Sequence, residues 1–125
     1  MMLRSLSAGV RFLSARTNGG LFGRLETHAA AGRIALASPT LGTTSYGDLL
    51  AGARGVRDHL NNDSAFVKGS RVAFLARPGF EYVRTLIGVW QAGGVAVPLC
   101  VSHPAEELRY AITEADAITL SLIHI

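Results

Sequence analysis

The chain has 125 residues, of which 49% are hydrophobic and 17% charged, so a charge-rich disordered tail is excluded. Its 14 glycines follow no Gly-X-Y period and form no low-complexity tract, which excludes collagen-like and linker readings. The formal charge is +3, with 11 Arg beside a single Lys, Lys68.

That charge is unevenly placed. Residues 1–25 contain Arg4, Arg11, Arg16 and Arg24 and no acid. From Glu26 onward eight basic residues face nine acids, a net charge of −1. A basic pI near 9.6 is therefore no sign of a nucleic-acid surface. The leader also carries Ser5, Ser7 and Ser14. Its Leu3, Leu6, Val10 and Leu13 fall on one side of a helix. An Arg-rich, Ser-containing, acid-poor amphipathic start has the composition of a mitochondrial transit peptide. Residues 1–25 are expected to be that leader, read by the import machinery and directed to the matrix. No apolar run approaches the length of a membrane-spanning helix. The single cysteine, Cys100, can build neither a disulfide framework nor a cysteine-based metal site within the chain.

The elements follow in chain order. Arg33–Ser38 and Thr43–Tyr46 read as a hairpin around a Pro39–Gly42 turn. Ser45 is placed to cap a helix through Leu60, with Leu49, Leu50, Ala53, Val56 and Leu60 as its apolar stripe. Arg71–Ala76 reads as a buried strand broken by Pro78-Gly79. Phe80–Ala92 reads as a helix with Phe80, Val83, Leu86, Ile87 and Trp90 on one face, stopped by Gly93-Gly94. Val95–Leu99 is the next strand, with Pro98 near its end. Ser102 or His103 is expected to cap a helix opening at Pro104, with Leu108, Ala111, Ile112 and Ala115 buried. Ala117–Leu120 begins a third strand. The expected fold is α/β: a parallel βαβαβ layer preceded by a β-hairpin and a helix, and incomplete as an N-terminal subdomain.

Individual residues carry modest expectations. Cys100 is expected to be a small buried hydrophobe, Trp90 a core residue, and His103 a capping or loop residue. Arg71, Arg77 and Arg84 are expected on a solvated face. His28, His59 and His124 lack zinc-like spacing. Gly93-Gly94 lacks the G-x-G-x-x-G spacing of a dinucleotide loop, which argues against a small Rossmann-type nucleotide binder.

Five segments in fixed order resemble the N-terminal part of the adenylate-forming (acyl-CoA synthetase) superfamily. They are GRIALAS, TSYGDLL, RVAFLARPGFEYV, GGVAVPL and HPAEELRYAITEADA, within Gly32–Leu120. The last two are most similar to its mitochondrial malonate–CoA ligase branch. The resemblance implies a parent enzyme that activates a small-molecule carboxylate, malonate or methylmalonate, with ATP and Mg2+. It then transfers the acyl group to coenzyme A. The phosphate loop, magnesium segment, ribose aspartate and mobile-domain lysine of that superfamily have no counterpart here. No catalytic, cofactor-binding or metal residue is therefore assigned, and the chain is expected to be inactive alone. Residues 26–119 are expected to be a truncated AMP-binding domain. LSLIHI (120–125) is expected to be a tail derived from a library adapter or an alternative splice. The alternative is a noncatalytic short isoform that acts as an interaction module.

Overall fold

The protein is seen here in a computed structural model, which describes residues 20–122. A helix α1 (Leu21–Ala30) comes first. Strands β1 (Ile34–Ser38) and β2 (Gly42–Ser45) form the antiparallel hairpin, with a register shift between Ile34 and Leu36. Helix α2 (Tyr46–Asn61) follows without a gap. Then come β3 (Arg71–Leu75), α3 (Phe80–Ala92), β4 (Val95–Leu99), α4 (Ala105–Glu114) and the short β5 (Ile118–Thr119). The second sheet is wholly parallel, in the order β4-β3-β5. The expected α/β order of hairpin, helix and βαβαβ layer is thus what the chain adopts. Helix α1 was not foreseen.

Capping starts α2. Ser45 is extended at φ −73° and ψ 159°, and its hydroxyl accepts a hydrogen bond from the Asp48 amide at 3.1 Å. Asp48 adds a favourable charge in the first turn. Replacing Ser45 by Ala is expected to cost about 1 kcal/mol. Urea unfolding of the two chains measures this directly, and an unchanged midpoint would refute the cap.

All five apolar positions foreseen in α2 are buried. They divide between two cores. Val56 and Leu60 join Val72, Phe74, Ala76, Val89, Ala92 and Leu120 against the parallel sheet. Leu49, Leu50 and Ala53 join Ile87 in a second core, against which Leu25, Ala29, Leu36 and Val83 pack. Helix α2 thereby ties the hairpin and α1 to the βαβ layer.

Helix α3 packs closely on α2, and its buried arc differs from the expected stripe. It buries Arg84, Thr85, Ile87, Gly88, Val89 and Ala92, whereas Phe80 is 37% and Trp90 40% exposed. The reason is the close contact with α2. At Gly88 an added Cβ would stand 2.6 Å from the Ala53 carbonyl oxygen and 2.5 Å from Val56 Cβ. Small residues therefore occupy the interface, and the large ring of Trp90 turns outward. Arg84 corrects a second expectation, for it is only 7% exposed. Its stem lies against Gly52 and its guanidinium sits 5.7 Å from the Phe80 ring centre. Gly93 ends α3 at φ 87°, a conformation that glycine adopts without steric cost.

The last helix starts one residue later than expected. Pro104 is its N-cap at φ −60° and ψ 154°. Neither Ser102 nor His103 caps it; the Ser102 hydroxyl instead lies 3.1 Å from Cys100 Sγ. The foreseen apolar face of α4 is only half-buried, and no residue of this helix is fully buried. Among the described residues no helix is long and apolar enough to cross a membrane.

Candidate functional site

The strand order places the candidate site. From β3 the chain moves to one side of the sheet, and from β4 it returns to the other. In open α/β sheets ligands lie outside the carboxyl ends of the strands, near such a reversal. At that end the Arg77-Pro78-Gly79 turn follows β3 and the Cys100–His103 turn follows β4. Between them lies a groove of about 310 Å³ lined by Ala76, Pro78, Tyr82, Pro98, Leu99, Cys100 and Val101. Tyr82 is fixed by an edge-to-face contact with Phe74, ring centres 5.8 Å apart. The wall is apolar and carries no ionised side chain.

Cys100 is exposed in this groove, not buried as the sequence suggested. The strand ends one residue before it, so the thiol sits on the rim. Its pKa lies below the ordinary thiol range. The hydrogen bond with the Ser102 hydroxyl contributes most, followed by the Ser102 amide, with a smaller share from the His103 amide. Partial desolvation opposes them. Since the thiolate is the nucleophile, Cys100 should be alkylated faster than a free cysteine peptide near neutral pH. Ser102→Ala is expected to slow it. Equal iodoacetamide rates for the two chains would refute the role of the hydroxyl.

The remaining candidates stand apart from the groove. His103 is an exposed loop residue with Nδ1 3.6 Å from Glu107 Oε2. His28 accepts from Arg33 Nη1 at 3.2 Å and lies 5.1 Å from the Tyr46 ring centre. His59 is half-buried in the last turn of α2, and His124 lies outside the described residues. Arg71 and Arg77 are exposed as expected. Lys68 lies at the opposite, amino end of the sheet. Among the described residues no three His, Cys, Asp or Glu side chains gather as metal ligands. The sequence did not single out Pro78 or Tyr82 as groove residues. The Pro78-Gly79 break after a strand was the one signal that could have found them.

The sequence profile of the AMP-binding enzyme family matches residues 25–121. The chain belongs to that family. A CoA ligase of Gibberella moniliformis is 48% identical over 54 residues, which are 43% of this chain and 9% of that protein. The malonate–CoA ligase of Arabidopsis thaliana is 42% identical over 50 residues, 40% of this chain and 8% of the relative. The human mitochondrial malonate–CoA ligase ACSF3 is 39% identical over 51 residues, 41% and 9% of the two chains. The matched part thus spans less than a tenth of these relatives.

Solved structures agree on the fold. Apo MatB from Rhodopseudomonas palustris superposes with a TM-score of 0.61 at 29% identity, over 69% of this chain and 17% of that one. The N-terminal subdomain of Klebsiella oxytoca NpsA gives 0.68 at 21% identity, over 80% of this chain and 26% of that one.

Proposed function

We propose that this AMP-binding enzyme chain is the N-terminal structural part of an acyl-CoA ligase that activates malonate or methylmalonate. The observation that carries the reading is the family match across residues 25–121, joined to malonate–CoA ligases among the relatives. In that reaction the carboxylate oxygen attacks the α-phosphorus of ATP and displaces pyrophosphate. The coenzyme A thiol then attacks the acyl carbon and displaces AMP.

The residues of the apolar groove do not fit ATP or Mg2+. The groove at the carboxyl ends holds no cation for phosphates and no carboxylate for a metal. No step of the chemistry is therefore assigned to this chain. Its contribution is a rigid wall: α2 and α3 clamp the sheet, and the sheet sets the positions of the turns after β3 and β4.

The decisive experiment is a coupled assay. The 125-residue chain with malonate, ATP, Mg2+ and coenzyme A should form no malonyl-CoA. The product of the same locus extended downstream of Thr119 should form it, with acetate a poorer substrate. Extension without malonyl-CoA synthesis would overturn the substrate assignment. Synthesis by the short chain would overturn its proposed inactivity.

The Arg-rich, acid-free composition of residues 1–25 supports reading them as a mitochondrial leader that carries the product to the matrix. Fusion of those residues to a fluorescent reporter tests this, and a cytosolic signal would reject it. A second reading, a noncatalytic interaction module, draws support from the half-buried α4 and from Leu75 and Val95, which are 45% and 50% exposed. A genomic stop directly after codon 125 would favour it, because residues 120–125 would then be a natural end.

A further inference from the structure

Lys68, the only lysine in the chain, carries a charge that the proposed chemistry does not use. The loop carrying it is closed by three hydrogen bonds. The Gly69 amide donates to the Gly93 carbonyl at 2.8 Å, and the Ser70 amide to the Val67 carbonyl at 2.9 Å. The Val67 amide donates to Ser70 Oγ at 3.0 Å. The lysine stem is seated too. It crosses Gly93, where an added Cβ would stand 3.3 Å from Lys68 Cγ.

Lys68, Ser70, Arg71 and Asp116 line a groove of about 310 Å³ at the amino ends of β3 and β5. Among the described residues neither Lys68 nor Arg71 forms an ion pair with a carboxylate. Two cations therefore share the groove with the single carboxylate of Asp116. The backbone of Asp116 is left-handed at φ 49°.

We propose that this groove binds a phosphate group, as inorganic pyrophosphate or as the phosphate of a mononucleotide. The Arg71 guanidinium offers a planar fork to two phosphate oxygens, and the Lys68 ammonium supplies a point charge. Asp116 opposes the anion and keeps the affinity modest. The volume leaves room for more than one phosphoryl group. This site lies at the end of the sheet away from the apolar groove, so it stands apart from the substrate reading above.

The test is calorimetric titration of the 125-residue chain at low ionic strength with pyrophosphate, AMP and sulfate in separate runs. Lys68→Gln and Arg71→Gln should each weaken pyrophosphate binding about threefold or more, the scale of partly exposed charge pairs. Asp116→Asn should tighten it by a similar factor. Asparagine also tolerates the left-handed backbone, so this variant changes charge without strain. AMP binding as tight as pyrophosphate identifies a nucleotide phosphate, and weaker AMP binding identifies pyrophosphate. Acetylation of Lys68 on the folded wild-type chain repeats the Lys68 arm without a new sequence. The proposal fails if Lys68→Gln and acetylation both leave the affinity unchanged. It fails equally if Asp116→Asn does not tighten binding, or if sulfate binds as well as pyrophosphate.

Discussion

Truncating Phe74 to alanine is expected to remove about 3–5 kcal/mol of stability. Phe74 is 1% exposed on β3, the middle strand of the parallel sheet. It packs with Val56, Leu60 and Val89 in one core, and its ring supports Tyr82 at the groove. Domains of this size hold only about 5–15 kcal/mol in total, so the variant sits near the unfolding threshold. Each kcal/mol shifts Tm by about 4–5 °C for a folded unit of roughly 100 residues, which predicts a fall of roughly 12–25 °C. Leu75 is the natural control, the next residue on the strand and 45% exposed. Leu75→Ala should cost much less. Equal losses at the two positions would mean that the described core is misplaced.

Gly88→Ala is the second large effect, and its sign opposes the usual rule. Alanine normally stabilises a helix interior by about 1 kcal/mol relative to glycine. Here the new methyl would enter space held by the Ala53 carbonyl oxygen and the Val56 side chain. Backbone cannot move aside as a flexible side chain does, so α2 and α3 must separate. A net loss of about 2–3 kcal/mol is expected, at the upper part of the overpacking range. Gly47→Ala supplies the contrast. Its nearest neighbour is Ser45 Oγ at 3.7 Å, an ordinary contact. Chemical denaturation should show Gly47→Ala neutral or stabilised and Gly88→Ala weakened. Stabilisation of both would refute the close helix contact.

These two glycines show where the sequence was legible and where it was silent. The α2 stripe could be read because four of its five buried positions are large and apolar. Both ends of α3 could be read from Pro78-Gly79 and Gly93-Gly94. Of its buried arc only Ile87 could be read as fully buried, with Val83 and Leu86 packed at its margin. Apolar periodicity weights Phe80 and Trp90, whereas close helix packing selects Gly88, Thr85 and Ala92, which a hydropathy pattern scores as weak. Arg84 misleads for a related reason, since its long apolar stem can be buried beside Gly52 while its charge signals solvent. Cys100 was misjudged by a single position at the strand end. Helix α1 escaped notice because it begins beside the basic leader, where composition outweighs periodicity. The apolar groove was illegible because Pro78, Tyr82 and Pro98 converge only once the strands pair.

Pro98 has one more effect, on how the sheet meets other chains. Val95 donates its amide to the Ser70 carbonyl at 2.8 Å, toward β3. Amides alternate along a strand, so those of Val97 and Leu99 also face inward, and positions 96 and 98 face the outer side. A proline at 98 deletes one of those two outward donors. An approaching strand would find the Ala96 amide as the one outward donor within β4. The proline thus works as a gatekeeper against edge-to-edge polymerisation on the β4 flank.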